Sequence, residues 1–333
     1  MKNSLFTILI VFLLVACDKQ VADRSDQKTA VDKSGLPRAV LVIHGGAGTI
    51  RRENMDSATE AAYRQKLEEA LQSGYKVLQN GGESCEAIMQ TIMVMENSPL
   101  FNAGIGAVFT AAEENELDAS IMKGDDRNAG AVAGIKTVKN PILAANEVMT
   151  NSPHVMLSGR GAETFSEQQG LELVDPSYFR TDRRFEQLMR VRRPTKEYGT
   201  VGAIALDQNG NLCAGTSTGG MTNKKWGRIG DSPVIGAGTY ADNLTCGVSS
   251  TGHGEFFIRG VAAYDVAAKM KYQKKTVEEA ASEVIRELDE MGGSGGLVAM
   301  DGEGYVSMPF SSEGMYRGYI TETGEMIIKI FKD

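Results

Sequence analysis

GTVGAIALDQNGNLCAGTSTGGMTNKKWGRIGDSPVIGAGTYADN, residues 199–243, is the stretch that decides how this chain folds. Within it, AIAL (203–206) and NLCAG (211–215) are short apolar runs around Asp207-Gln208-Asn209-Gly210, a turn composition, so the pair reads as a β-hairpin. The second run leads into Gly215-Thr216-Ser217-Thr218-Gly219, which matches the G-x-S-x-G of serine hydrolases. His44-Gly45-Gly46-Ala47 looks like the oxyanion loop of such enzymes, and Asp231 and His253 follow in triad order. A nucleophile elbow, however, needs a helix directly after its serine. Here Gly219-Gly220-Met221-Thr222-Asn223 runs into KKWGRIGDSP, whose Gly and Pro break any helical turn, and the serine-hydrolase reading fails on context.

Working outward, LVAM (297–300) and YVSM (305–308) flank Asp301-Gly302-Glu303-Gly304 as a second hairpin, so at least part of the sheet is antiparallel. RAVLVIH (38–44) is a continuous apolar run, as expected of a strand covered on both faces. One helix carries Leu67, Leu71, Tyr75 and Leu78 along a stripe and stops at Asn80-Gly81-Gly82. A second opens at Ser84 with Ile88, Ile92 and Met95 aligned, and the two are expected to pack as a pair. Thr276 with Glu279 forms a capping box before Val277, Ala281, Val284, Leu288 and Met291, and Gly292 ends that helix. Helices grouped between hairpins predict helices outside and sheets inside rather than alternating βαβ units. The charged segment 165–199 is expected to be long and exposed, a place where the chain can be cut without losing its core.

With 333 residues, 42% hydrophobic, the chain suffices for a large core. Its 43 acidic against 35 basic residues, a net charge of −8 spread without long runs, argue against nucleic acid as partner and fit a small or neutral substrate. The apolar run Leu5 to Ala16 after one Lys is too short to span a membrane and suits a secretory leader over residues 1–16. Leu14-Val15-Ala16-Cys17 resembles a bacterial lipobox, which makes Cys17 the expected acylated end of the mature protein; a plain signal peptide that happens to contain Cys is the alternative. A polar tether follows, residues 17–36. The expected location is the bacterial cell envelope, on the periplasmic side, with the membrane met only through the lipid. Cys85, Cys213 and Cys246 remain, without metal spacing, and are expected to be buried free thiols with no structural zinc.

Chemistry can start from Thr200. A threonine hydroxyl is a weak nucleophile unless a base sits beside it, and an N-terminal threonine carries one in its own α-amine. Cleavage of the Gly199–Thr200 bond by an N-to-O acyl shift would create that base, and Gly199 permits backbone geometry a Cβ would hinder. Taken alone, Gly-Thr is commonplace.

Residues 199–243 closely resemble the start of the β-subunit in plant-type asparaginases and isoaspartyl peptidases, and SSTGHGEFFIRGVAAYDVAAKM (249–270) continues the likeness. So do VIHGGAG (42–48), SPLFNAGIGAVFT (98–110), ELDASIM (116–122) and NPILAANEVM (140–149), nearly everything from Arg38 to about Gly304. The resemblance implies an α+β fold, the four-layer αββα sandwich of N-terminal-nucleophile hydrolases. It implies one composite domain, an α-subunit over 37–199 and a β-subunit over 200–333, with the cut αβ heterodimer itself dimerised. Thr200 would be nucleophile and, through its amine, general base; Thr218 would steady it, though a plain strand-end hydroxyl is the alternative. Thr251 and Gly252 would form the oxyanion hole, and Gly254 would serve both turn and site. SPLFNAGIG resembles the family's cation loop, where backbone carbonyls, here of Met95, Glu96, Ser98, Phe101, Ala103 and Ile105, surround a structural sodium ion; no cofactor is required. His44 is expected to be a structural hydrogen-bonder in a loop that turns the chain after the first strand.

Family members hydrolyse L-asparagine, β-aspartyl (isoaspartyl) dipeptides or the asparagine–sugar linkage. Thr216-Ser217-Thr218-Gly219-Gly220 and Thr251-Gly252-His253-Gly254 favour the asparaginase and isoaspartyl branch over the aspartylglucosaminidase branch. His253 and Trp226 depart from the pattern and leave leaving-group preference open. A lipid-anchored binding protein on the same fold is the non-catalytic alternative. Arg228 and Asp231 would clamp the carboxylate and ammonium of a free α-amino acid head, or else pair with each other across their turn.

Overall fold

Alternate residues of the first strand, β1 (Leu41–Gly48), enter two different cores: Leu41 and Ile43 one, Val42 and Ala47 the other. That is the two-sided burial its continuous apolar run demands. The computed structural model describes residues 38–191 and 199–332. The leader, Cys17 and the tether of residues 17–36 lie outside the described residues.

After β1 come helices α1 (Ser57–Gln79) and α2 (Ser84–Glu96), packed as a pair. The Asp56 carboxylate caps α1 by accepting the Thr59 N–H at 2.7 Å. Strands β2 (Leu117–Lys123) and β3 (Ala129–Ile135), α3 (Pro141–Asn151), β4 (Met156–Ser158), α4 (Gly159–Gln168) and α5 (Asp182–Val191) complete the segment before the Gly199–Thr200 bond. Beyond it lie β5 (Val201–Leu206), β6 (Leu212–Thr218), β7 (Thr239–Ala241), β8 (Cys246–Gly252), α6 (Gly254–Gly260), α7 (Ala262–Gln273) and α8 (Val277–Glu290). The chain ends with β9 (Gly295–Asp301), β10 (Val306–Ser307), β11 (Gly314–Ile320) and β12 (Met326–Phe331).

An eight-stranded sheet runs β12-β11-β1-β5-β6-β2-β3-β4 and a four-stranded one β10-β9-β8-β7, every pairing antiparallel except β3 with β4. Leu67 and Leu71 of α1, Ile88 and Ile92 of α2, and Ile142 of α3 close one core against the large sheet. Val42, Ile204 and Ala214 face Val248 and Val298 between the sheets, and Val266, Val284 and Leu288 of α7 and α8 cover the small one. The result is the αββα sandwich. Both hairpins form as read, and so does the capping box at Thr276.

Three expectations need correction. The HGGAG stretch does not turn the chain: β1 continues through it to Gly48, with an irregular register between His44 and Gly46, because β11 pairs along its whole length. The segment from Phe165 is anchored rather than fully exposed. Phe179 and Leu188 are buried, the Arg184 Nε donates to the Gly106 carbonyl at 2.6 Å, and the Gln187 Nε2 donates to Thr222 Oγ1 at 3.0 Å. Nor are all three remaining cysteines free: Cys85 and Cys213 form a disulfide with Cα atoms 5.2 Å apart, leaving Cys246 as a buried thiol. Packing of α2 on β6 brings together two residues 128 positions apart, which no spacing rule reveals.

Candidate active site

Thr200 stands directly before β5, which pairs with β1 on one side and β6 on the other, so the strand it leads into is fixed by two ladders. The side chain is buried. Its hydroxyl donates to the Gly199 carbonyl at 2.7 Å and lies 3.1 Å from Thr218 Oγ1, at the end of the neighbouring strand. Thr218 Oγ1 in turn lies 3.1 Å from the Gly199 oxygen and accepts the Gly220 N–H at 2.9 Å. A further donor reaches the same carbonyl: Asn102 Nδ2, 2.7 Å from Gly199 O and 2.7 Å from Gly220 O. The Val108 N–H needs an acceptor and finds Asn102 Oδ1 at 2.9 Å, which fixes the amide's orientation. The Gly199 carbonyl thus has convergent donors from before and after the Gly199–Thr200 bond.

Ser217, the would-be elbow serine, lies inside β6 with its hydroxyl donating to Glu96 at 2.6 Å. Glu96 also accepts from Asn140 Nδ2 at 3.0 Å and the Ile142 N–H at 3.1 Å. Burial pushes its carboxyl up to about 7 against the pull of these donors.

Gly199, Thr200, Thr218, Gly220, Met221, Arg228, Gly230, Asp231, Ser232 and Gly252 line one small pocket. Six of the eight residues expected for catalysis, cleavage and substrate binding therefore meet in one place. Thr251, fully buried, takes the Ala47 N–H on its hydroxyl at 3.2 Å and keeps its own proton to donate. At Gly252 the backbone turns to φ +146°, and a Cβ would lie 2.4 Å from the Ser294 carbonyl oxygen, so glycine is required. At Gly254 a Cβ would sit 2.7 Å from Asp231 Oδ1 and 2.8 Å from Arg228 Nη2, so this glycine leaves room for both.

Arg228 and Asp231 do not pair across their turn. The Arg228 fork holds Glu255 bidentately, both distances 2.9 Å. Burial pushes the Glu255 carboxyl up, but the Arg228 hydrogen bonds and charge outweigh it and leave it below its usual range. Asp231 is buried with Oδ2 lacking a hydrogen-bond partner, and burial pushes its carboxyl up to about 7. An unpaired carboxylate in a pocket wall is a place for a cation.

His44 behaves as the hydrogen-bonder expected. Its Nδ1 lies 3.1 Å from the Thr200 carbonyl, which can only accept, so Nδ1 carries the proton and Nε2 accepts from Ser249 at 2.8 Å. Burial lowers its pKa to about 3, so it is neutral. Beyond Ser249 buried hydroxyls stand in a row, Ser249–Thr216 (2.7 Å), Thr216–Thr239 (2.6 Å) and Thr239–Ser120 (2.7 Å), and Ser120 donates to the Ser232 carbonyl (2.6 Å); with an acceptor at each end, the four hydroxyl protons serve four of the five contacts.

The expected cation loop wraps the Gly104–Gly106 turn. A Cβ on Gly104 would lie 2.2 Å from the Glu96 carbonyl oxygen, and one on Gly106 would lie 2.0 Å from that of Phe101 and 3.0 Å from that of Ser98. Of the other proposed ligands, the Met95 and Ala103 carbonyls accept the Ser98 and Gly106 N–H groups, and Ile105 is half-buried in the turn. Sequence reasoning missed two residues of the site. Asn102 lies inside SPLFNAGIG, read only as a carbonyl loop, and Glu255 directly follows the glycines read as oxyanion hole.

A four-layer αββα sandwich with a threonine hydroxyl at the head of a central strand defines a hydrolase of the N-terminal-nucleophile class. The Asparaginase family model matches residues 37–330, across both halves, and the chain belongs to that family. Isoaspartyl peptidase from Escherichia coli K12 is 49% identical over 305 residues, covering 86% of this chain and 95% of the relative. A putative isoaspartyl peptidase/L-asparaginase from Dictyostelium discoideum is 41% identical, with 85% and 93% covered. The isoaspartyl peptidase/L-asparaginase of Mus musculus is 40% identical, with 80% and 82% covered.

Proposed function

We propose that the chain cuts itself before Thr200 and then hydrolyses the side-chain amide of L-asparagine and of β-aspartyl dipeptides. The observation that carries this is the Thr200 hydroxyl on the Gly199 carbonyl at 2.7 Å, with Thr218 and Asn102 converging on that same oxygen. In self-cleavage, Thr200 Oγ1 bonds to the Gly199 carbonyl carbon and gives its proton to the Thr200 nitrogen, the leaving group. Asn102 and Thr218 donate to the oxygen as it becomes negative. The C–N bond then breaks, the Thr200 nitrogen keeps the proton, and water hydrolyses the ester. The released amine is the base for later turnovers.

In the mature site, Arg228 takes the α-carboxylate and Asp231 the α-ammonium, presenting the side-chain carbonyl to Thr200. Gly252 N–H and the Thr251 hydroxyl receive the oxyanion. Arg228 must exchange Glu255 for substrate, and Asp231 gains the partner its free oxygen lacks. The isoaspartyl peptidase names of the relatives support this branch over glycosylasparagine hydrolysis or mere binding. We further propose that Glu96, Ser98 and Phe101 carbonyls hold a structural cation, that Cys17 is acylated at the cell envelope, and that αβ units dimerise.

The test is N-terminal sequencing of purified protein and hydrolysis of β- against α-aspartyl dipeptides. A fragment beginning Thr200-Val201-Gly202 and β-selectivity are expected, with Thr200→Ala uncut. A wild-type chain that stays whole yet hydrolyses at full rate would overturn the mechanism. Lipid labelling lost in Cys17→Ser would test the anchor.

A further inference from the structure

Cys85 and Cys213 lie on opposite sides of the Gly199–Thr200 bond, one in the first turn of α2 and the other in β6. Three ties between the two halves line up along that helix. At its start the Ser84 N–H donates to the Asp207 carboxylate at 3.2 Å; next comes the disulfide; at its end Glu96 accepts from Ser217 at 2.6 Å. All three hold the β5–β6 hairpin, whose first strand begins with the nucleophile.

We propose that the Cys85–Cys213 bond keeps the two fragments of the cut enzyme covalently joined, making the mature protein a disulfide-linked heterodimer. This rests on the self-cleavage reading above. The Cα separation of 5.2 Å lies within the range a disulfide spans without moving the backbone. Both cysteines are buried between helix and sheet, so the bond is out of reach of reductant until the fold opens. Forming it takes two electrons and two protons from the paired thiols to a protein disulfide of an oxidising compartment, which becomes a dithiol. Such a compartment is what the leader at residues 1–16 is expected to reach. Cys246, in β8 of the other sheet, is the thiol left over among the described residues.

The consequence is thermodynamic. Without the bond the fragments form a non-covalent pair whose reassembly is bimolecular, so the unfolding midpoint rises with protein concentration. With it, refolding is intramolecular and the midpoint does not depend on concentration.

The experiment uses full-length protein exported with its own leader, treated with N-ethylmaleimide before denaturation and run on denaturing gels with and without dithiothreitol. The expected result is one species without reductant and two fragments with it. Cys85→Ser and Cys213→Ala should each give two fragments in both lanes, and urea midpoints should shift with concentration only in these variants or after reduction. Two wild-type fragments without reductant would overturn the tether and leave self-cleavage standing. One wild-type band in both lanes would instead overturn self-cleavage, and with it the heterodimer.

Discussion

Replacing Asn102 by Ala removes three hydrogen bonds of 2.7, 2.7 and 2.9 Å, to the Gly199 and Gly220 carbonyls and from the Val108 N–H. Two consequences separate by magnitude. In the folded precursor, the buried Val108 N–H loses its acceptor and the two carbonyls lose a donor, which costs about 2–4 kcal/mol of stability. In the self-cleavage transition state, the Gly199 oxygen carries growing negative charge and loses one of its convergent donors, which costs roughly 10²–10³ in rate. Asn102→Asp tells the two apart. Its carboxylate still accepts from Val108, so much of the stability returns, while its charge opposes the oxyanion and cleavage stays slow. The assay is the time course of fragment appearance on reducing gels after synthesis, alongside thermal midpoints for both variants. If Asn102→Asp matures within about threefold of wild type, the assignment of Asn102 to the scissile carbonyl is wrong.

Thr218→Val removes the hydroxyl between Thr200 and Gly199, and should slow self-cleavage and, in whatever matures, kcat, each by roughly 10²-fold in single-turnover measurements. Arg228→Lys keeps the charge but loses the fork; KM for L-asparagine and β-aspartyl dipeptides should rise about tenfold or more while the gel shows normal processing. Asp231, raised to about 7 by burial, binds a substrate ammonium only when ionised, so kcat/KM should climb as pH rises through about 7 and Asp231→Asn should lower it. For stability the sign is opposite. A raised carboxyl costs nothing below its unfolded pKa and its full penalty above about 7, so the thermal midpoint should fall between pH 4 and 7 through this group, less so in Asp231→Asn.

Much of this was legible because it depends on neighbours in sequence. The hairpins announce themselves through turn residues, α8 through its capping box, and β1 through an apolar run that had to be buried twice. Thr200 was found by resemblance and by the chemistry of an amine beside a hydroxyl. What stayed hidden depends on which elements the sheet brings together. Cys85 meets Cys213 only because α2 lies across β6, and Asn102 reaches the scissile carbonyl only because its loop packs against the end of that strand. The Arg228 fork was expected on a substrate carboxylate or on Asp231; in the structure it holds Glu255, which arrives from a helix start whose direction the glycines before it conceal.

Strand order explains how the chain would keep its shape under the proposed cut at Gly199–Thr200. In the large sheet β1 is flanked by β11 and β5, both from beyond the cut, while β6 pairs with β2 from before it. Neither half can form this sheet alone. Thr200 stands at the head of a strand laddered on both sides, with its carbonyl gripped by His44. That grip needs a neutral imidazole protonated on Nδ1, which burial and the Ser249 hydroxyl together provide. The row of hydroxyls beyond Ser249 ends on the carbonyl of Ser232, the residue after Asp231. A row of close-packed buried hydroxyls therefore lies between the backbone of Thr200 and the turn that carries Asp231. The proposed cleavage would free the amine of Thr200 without releasing either end of that row, so the catalytic base would appear in a site whose geometry is already set.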